Sequence, residues 1–344
     1  MNHQYSRARR LFWFTRLALA GGLLAAAVVV LGGWVRLTDA GLGCPDWPGC
    51  YGHIYPQAGH VDPQPGFQFG KAWHEMIHRY FVASLGIIIT VLAAWAVRFR
   101  KDRDQPLIPV ALLFLVYCLQ GALGALTVTL LLTPLIVTAH LLGGLTTLGL
   151  LWWLSLSPEA RQLPERDTAL RKYALVGLAV LVMQIALGGW TSSNYAAVAC
   201  PDFPTCQHSW WPQMDFRNAF ILWRGLGIDY EGGVLANPAR VAIHFTHRLG
   251  ALIAGFILIS VGVLAATRAK SRPLLLAGRL LVAAVALQIS IGVATVHWGV
   301  PLPLAALHNA GAAFLVISMV TLLHALWPAP AIGMVPLHRA DPTR

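Results

Sequence analysis

Residues 105–157 read QPLIPVALLFLVYCLQGALGALTVTLLLTPLIVTAHLLGGLTTLGLLWWLSLS and contain no Asp, Glu, Lys or Arg. A helix needs about 20 apolar residues to cross the hydrocarbon core of a bilayer. The run therefore has room for two membrane spans and a tight turn, which Pro134 is expected to mark. A soluble domain needs charge to cover its surface, so this stretch predicts an integral membrane protein.

The rest of the chain has the same character, with 57% of the 344 residues hydrophobic and 11% charged. The segment Leu280–His338 is again free of Asp, Glu, Lys and Arg and holds two further spans, with their turn at Pro301–Pro303. A signal peptide is the alternative for the first span, but no clear cleavage site follows and seven more spans come after it. We predict an all-α protein with eight transmembrane helices, the other four being Leu17–Val35, Tyr80–Val97, Tyr173–Ser192 and Arg240–Thr267.

The net charge of +11 would suggest a nucleic-acid partner in a soluble protein, but the placement of the basic residues gives another interpretation. Basic residues gather in the cytoplasmic segments of membrane proteins. With the N-terminus inside, 18 of the 25 Lys and Arg residues fall in such segments. The charge therefore predicts a multi-pass protein of a bacterial-type inner membrane, with both termini in the cytoplasm and no nucleic-acid partner. The cytoplasmic set is Arg7, Arg9, Arg10, Arg16, Arg98, Arg100, Lys101, Arg103, Arg161, Arg166, Arg171, Lys172, Arg268, Lys270, Arg272, Arg279, Arg339 and Arg344.

An internal repeat divides the chain into two similar halves. Leu31-Gly-Gly-Trp34 recurs 156 residues later as Leu187-Gly-Gly-Trp190, and Leu119-Gln120 recurs 168 residues later as Leu287-Gln288. Because an even number of spans separates the halves, both run in the same direction across the membrane. The repeat predicts two four-helix bundles related by a pseudo-two-fold axis along the membrane normal. The expected parts are a cytoplasmic tail (1–16), a first half (17–156), a cytoplasmic linker (157–172), a second half (173–327) and a cytoplasmic tail (328–344).

Four of the five cysteines lie in predicted outer loops, in matching pairs. Cys44-Pro-Asp-Trp-Pro-Gly-Cys50 recurs as Cys200-Pro-Asp-Phe-Pro-Thr-Cys206. Cysteines confined to the oxidising side of a membrane favour disulfides, and we expect one within each pair. Zinc is the alternative, because a histidine follows each pair, but this spacing with internal prolines is poor for four converging ligands. Cys118 is alone within a span and is expected to be a small buried apolar side chain.

Four of the 13 histidines lie near the outer ends of the even-numbered predicted spans, and the repeat matches His78 with His247 and His140 with His308. Ionisable groups within a membrane are costly and usually functional. A single membrane histidine more often bonds a neighbouring carbonyl or hydroxyl, but two symmetric pairs on alternate helices favour cofactor ligands. Two neutral imidazoles can occupy both axial positions of a haem iron, whereas a non-haem ion would want further ligands. The histidines therefore predict two bis-histidine haem sites, one in each half, without the Cys-x-x-Cys-His motif of covalent attachment.

The halves differ beside these histidines. Glu75 stands three residues before His78 on the same helix face, whereas the residue three before His247 is His244. Every other Asp or Glu lies in a predicted loop or tail, so a carboxylate beside a ligand in one half suggests that this half carries out the chemistry. The other half would hold a permanent cofactor. The alternative is that Glu75 only forms a salt bridge with Arg79. Four side chains are expected to support the ligands from a neighbouring position: His74, Arg79, His244 and Arg248.

Several segments in order resemble the haem A synthase family. Any one of them is weak, but the set and its repeat are specific and cover about residues 17–327. The matching segments are LGGWVRLT (31–38), GLGCPDWP (41–48), Glu75-Met-Ile-His-Arg79, TAHLLGG around His140, His247-Arg248 and His308-Asn309.

This resemblance implies an oxidoreductase that converts haem O to haem A. The family oxidises the porphyrin C8 methyl to a formyl group by two hydroxylations, after which the geminal diol loses water. The resemblance places haem O in the first half at His78 and His140 with Glu75 near the reacting methyl, and it places haem b, the cofactor, in the second half at His247 and His308. It also implies haem O synthase and an electron donor as partners within the lipid bilayer. Some family members lack one or both cysteine pairs, so their role here, structural or redox, stays open.

Three other functions fit part of the pattern. A membrane diheme b-type electron-transfer cytochrome also uses bis-histidine sites, but transmembrane electron flow would place haems at both faces, and all four histidines are at the outer face. A haem exporter or chaperone would have exchangeable haem and no oxidised product. A polyprenyl transferase that makes haem O would need acidic clusters for magnesium and diphosphate, and none occurs in or beside a predicted span.

Overall fold

A computed structural model describes residues 2–57, 69–102, 105–156 and 167–327, with side chains from residue 8 onward. Eight helices in this part of the chain are long and apolar enough to cross a membrane, which confirms the predicted all-α membrane fold and its eight spans. The predicted cytoplasmic stretches 157–166 and 328–344 lie outside the described residues, as do 103–104. In chain order the helices are α1 (Asn2–Leu37), α2 (Phe69–Arg98), α3 (Leu107–Thr129), α4 (Pro134–Ser155), α5 (Thr168–Ser193), the short α6 (Phe216–Ala219), α7 (Asn237–Arg268), α8 (Arg272–His297) and α9 (Leu302–Leu326).

Prolines and small polar caps set where several helices begin. α4 begins at Pro134, and Pro301 immediately precedes α9, as expected, because proline fits the first turn of a helix, where its missing N–H has no partner to lose. Asp167 and Ser271 precede α5 and α8, and each side chain accepts a hydrogen bond from the backbone N–H three residues later. Local sequence therefore determines these helix starts.

The second span is longer at its outer end than the apolar pattern predicted. α2 begins at Phe69, whereas the apolar run begins at Tyr80. Glu75 and His78 consequently lie inside one continuous helix that extends past the charged residue Arg79. A charge at the edge of the membrane interrupts the hydropathy pattern without interrupting the helix, because its backbone hydrogen bonds are unaffected.

The centre of the molecule is formed by the helices that contact each other across the two halves. α1 packs against α9, and α4 packs against both α5 and α9. The core between them contains buried Leu148, Leu151 and Met319, and the Trp152 Nε1–H donates a hydrogen bond to Thr321 Oγ1 at 2.9 Å across this boundary. Both halves thus share one continuous packed core, and their relation by an axis along the membrane normal stays a prediction.

Cys118 is exposed on the surface of α3, so the expectation that it is buried was wrong. Its neighbours Leu115 and Leu119 are also largely exposed, which makes this an apolar outer face of a candidate span. Lipid and protein interior are both apolar, and a lone cysteine suits either of them. Its residue type therefore did not reveal which way the thiol points.

Candidate functional site

The structure brings the four membrane histidines together in the two predicted pairs. His140 and His308 each lie six residues after the first residue of their helices, α4 and α9, while His78 is on α2 and His247 on α7. His140 is close enough to His78 to interact with it electrostatically, and His308 is similarly close to His247. Each half therefore presents one imidazole from each of two helices at one place.

Each of these histidines packs against a glycine on a neighbouring helix. A Cβ atom added to Gly32 would lie 3.0 Å from Cε1 of His78, and one added to Gly188 would lie 3.2 Å from Cε1 of His247. A larger residue would push the imidazoles out of place, because contacts of 3.0–3.4 Å are tighter than nearly all real Cβ contacts. These glycines belong to the repeated Leu-Gly-Gly-Trp motif, which explains that repeat physically. A Cβ atom added to Gly124 would lie 3.5 Å from Cε1 of His140, and one added to Gly292 would lie 3.1 Å from Cε1 of His308.

The histidine nitrogens are suited to a haem iron. Nδ1 of His78, His140 and His308 is buried and has no hydrogen-bond partner. A buried imidazole nitrogen without a protein partner is free to meet a bound group, but Nδ1 of His74 and His244 is also unpaired, so this feature alone does not single out the ligands. Among the residues that the structure describes, no three or more His, Cys, Asp or Glu side chains converge as a non-haem metal ion would require. The donor set of two imidazoles in each half fits the axial positions of haem.

Glu75 is buried between α2 and the first outer loop, with 5% of its surface exposed. Oε2 accepts a hydrogen bond from the backbone N–H of Cys44 at 2.9 Å, and Oε1 accepts one from Arg79 at 2.5 Å. The salt bridge considered as an alternative role does form. It holds the carboxylate one helical turn from His78, a position that suits a structural or a chemical role.

Arg79 and Arg248 hold the two disulfide loops in equivalent ways. Arg79 donates hydrogen bonds to backbone carbonyls of the first loop, including that of Asp46 at 2.9 Å. Arg248 donates to the carbonyls of Cys200 and Thr205, each at 2.8 Å. The arginines are therefore shared features of the halves.

The residue beside the arginine is what differs between the halves. In the second half, Arg248 Nε donates to Nε2 of His244 at 3.3 Å, where the first half has the carboxylate of Glu75. The fourth expected supporting residue, His74, packs edge-on against Trp34 with ring centroids 6.4 Å apart. The acidic group is thus confined to one half.

The predicted disulfides are confirmed, and the zinc alternative was wrong. Cys44 is joined to Cys50 and Cys200 to Cys206. In the second loop, desolvation alone would raise the pKa of the Asp202 carboxyl, but hydrogen bonds from the Thr205 hydroxyl and nearby backbone N–H groups hold it below its usual value. The cysteine loops are compact caps over the outer ends of α2 and α7.

Sequence reasoning missed three residues near the site. Gln184 Nε2 lies 3.1 Å from Nδ1 of His247 and donates to the backbone carbonyl of His247 at 3.0 Å. Gln288 donates a hydrogen bond to the His308 backbone carbonyl at 3.0 Å. The repeat of this glutamine as Gln120 was the sequence signal that could have identified it. Tyr51 lies near Glu75, since burial and then the negative charges of Asp46 and Glu75 raise the pKa of its hydroxyl. The repeat aligns Gln184 with Val28, so no sequence signal could have identified this glutamine.

A polar cluster joins the halves at the outer ends of α1 and α5. Arg36 donates a hydrogen bond to the Ser192 carbonyl at 2.7 Å and pairs with Asp39 at 3.2 Å. The Tyr195 hydroxyl donates to the same Asp39 carboxylate at 2.8 Å, and the Arg36 guanidinium lies 4.1 Å from the centre of the tyrosine ring. The cluster stabilises one relative placement of the two histidine sites.

Comparison with known proteins gives consistent matches along the chain. A family model described as COX15-CtaA, cytochrome oxidase assembly protein, matches residues 15–320. A haem A synthase from Shewanella oneidensis is 40% identical over 331 residues, covering 92% of this chain and 97% of that protein. A haem A synthase from Rhizorhabdus wittichii is 27% identical, covering 88% of this chain and 91% of the other. The range matched by the family model spans the positions of both histidine pairs and both cysteine loops.

Proposed function

Because this chain belongs to the COX15-CtaA family of cytochrome oxidase assembly proteins, we propose that it is a haem A synthase, an oxidoreductase that acts on haem O. The first half, residues 17–156, binds haem O between His78 and His140. The second half, residues 173–327, holds haem b between His247 and His308. The reaction oxidises the C8 methyl of haem O to a formyl group by two hydroxylations, whose oxygen atoms and oxidising equivalents come from a co-substrate outside the protein, followed by loss of water.

The one-sided carboxylate carries this proposal. Glu75 is buried, one turn from His78, and among the described residues it is the only Asp or Glu inside a candidate span. A simple pair of electron-transfer haems needs no such group. The Arg79 guanidinium and the Cys44 N–H hold the carboxylate in a defined position, from which it relays a proton during hydroxylation and dehydration.

The second half supplies a different function. Haem b in a bis-histidine site provides one-electron redox chemistry when bound. His247 and His308 hold its iron, and Gln184 and Gln288 donate to the backbone carbonyls of these histidines and so restrain their helices. An electron donor and haem O synthase are the partners that this reaction requires, and both meet the protein at the membrane.

The test is the Glu75→Gln variant, expressed in cells that make haem O and analysed by mass after haem extraction. The glutamine keeps the size and the hydrogen bond from Cys44 but removes the charge and the titratable proton. We expect haem A to fall at least ~100-fold, the scale of a lost proton-transfer group. Haem O, or a partly oxidised alcohol, should accumulate instead.

The control is Glu231→Gln, which removes an exposed carboxylate of the loop between α5 and α7 that pairs with Lys71. It should leave haem A formation unchanged. If the Glu75→Gln variant formed haem A normally at an unchanged protein level, the role of Glu75 would be structural, through its ion pair with Arg79. Extraction of haem B alone from the parent protein would contradict the proposed function and favour an electron-transfer cytochrome.

A further inference from the structure

An open apolar groove of about 580 Å³ lies between α1, α2 and α9. Every residue that lines it is aliphatic or aromatic, and its size is within the ~300–1,000 Å³ of small-molecule sites. Small side chains form much of its floor, including buried Ala313, while Phe81 and Phe314 are partly exposed at its edge. The groove therefore suits an elongated hydrocarbon group.

The residues that line the groove lie close in sequence to His78 and, on α9, to His308. Its outermost residue on α1, Leu31, adjoins Gly32, which packs against His78. Its residue on α2, Phe81, follows His78 by three positions and so lies on the same helix face. On α9 the lining runs from Ala310 to Ile317, roughly 10 Å along the helix at 1.5 Å per residue. The groove thus leads from the level of His78 away from the outer loops.

The equivalent place beside His247 has larger side chains at its floor, supplied by α4. The repeat aligns Ala310 and Ala313 with Leu142 and Leu145. Phe81 aligns with Gly250, but there the side chain of Gln184 takes up the space, since a Cβ added to Gly250 would lie 2.3 Å from its Oε1. The open floor is therefore not repeated at the equivalent place beside His247.

We propose that this groove binds the polyprenyl tail of haem O while its iron lies between His78 and His140. This inference rests on the proposed function. The propionates of a haem lie on one edge of the macrocycle and favour the polar outer side, where Arg36 and Arg79 are found. The tail lies on the opposite edge and so points deeper, along the groove. Tail-less haem B gains nothing from this space, so the groove favours haem O over haem B in the first half.

The test places the matching leucines of α4 into the groove, as Ala310→Leu and the double variant Ala310→Leu/Ala313→Leu. Bilayer lipid is as apolar as leucine, so the polyprenyl tail of haem O gains binding free energy from close packing in the groove and not from leaving water. Leucine side chains that fill the floor would remove this packing. We expect haem O to bind the double variant about tenfold more weakly, measured by optical titration of the purified protein. Haem B binding to the first half should be unchanged, as should the haem b spectrum of the second half.

Ala94→Leu is the matched control, because it adds the same atoms to an exposed face of α2 outside the groove. It should leave haem O affinity unchanged. Equal haem O affinity in the parent and groove variants would overturn the proposal and leave the groove to bilayer lipid. Equal losses of haem O and haem B would also overturn it, by showing a general distortion. If the double variant does not fold, the Ala310→Leu variant alone tests the proposal, through the ratio of its affinities for haem O and haem B. A parent protein that binds no haem O would instead contradict the proposed function.

Discussion

Single side chains determine what each histidine site can do. His78 and His247 sit in similar surroundings, each against a glycine of the Leu-Gly-Gly-Trp motif. Their neighbours differ, because the carboxyl group of Glu75 accompanies one and the imidazole of His244 accompanies the other. In the proposed function, this difference between Glu75 and His244 separates the reactive site from the site that holds the cofactor.

The ligand assignment of the second half is tested by His247→Ala and His308→Ala. Each variant removes one axial ligand of a bis-histidine iron, so we expect loss of the low-spin haem b spectrum and of most haem A formation. The optical spectrum and the haem content of the purified protein measure this. His297→Ala, which removes an exposed histidine at the end of α8, is the control and should retain both. A full haem b spectrum in both ligand variants would show that the halves are assigned wrongly.

At the scale of elements, each outer cysteine loop is fastened to a helix by an arginine from that helix. The first loop also contacts Glu75 directly, because the Cys44 N–H donates a hydrogen bond to its carboxylate. The second loop has no such contact, since its arginine meets His244. The second loop therefore only caps its helix, whereas the first loop caps its helix and also holds the carboxylate of Glu75.

Removal of the disulfides should affect the two halves differently. Each short loop closure contributes about 2 kcal/mol to stability, so Cys44→Ser/Cys50→Ser and Cys200→Ser/Cys206→Ser should lower the melting temperature similarly. Only the first pair should also reduce haem A formation per folded protein, because it loosens the N–H group that holds Glu75. Peptide mass mapping without reductant, melting curves and haem analysis check this. Equal haem A formation by the two double variants would show that the first loop does not affect the reaction.

At the scale of the whole molecule, eight spans place all four histidines toward one side of the membrane. The distribution of Lys and Arg predicts that this side faces away from the cytoplasm. Haem O and its product would then be handled near the outer leaflet, with both termini on the opposite side. The polar cluster around Arg36 joins the halves on the same outer side.

Cysteine labelling tests this orientation. In a Cys118→Ala background, whose loop cysteines are in disulfides, Glu231→Cys should react with a membrane-impermeant maleimide in intact spheroplasts. Lys101→Cys should react only after lysis, since the turn between α2 and α3 is predicted to be cytoplasmic. Labelling followed by a gel-shift assay distinguishes the two positions. The opposite pattern would invert the assigned topology.

Sequence alone determined the number of spans, the pairing of the histidines and the pairing of the cysteines. These features depend on charge-free length and on a repeat with constant spacing, both of which are visible along the chain. The one-sided position of Glu75 was visible for the same reason. The helix starts at Pro134 and after Pro301 followed from local backbone chemistry.

Only the tertiary structure decided how the helices are rotated about their axes. It showed that Gly32 faces His78, that Gln184 meets His247, that Cys118 points outward and that an open groove lies beside Phe81. In a soluble protein the polar face of a helix reveals its orientation. Here lipid-facing and protein-facing surfaces are equally apolar, so hydropathy along the chain carries little information about rotation, and packing between neighbouring helices decides it.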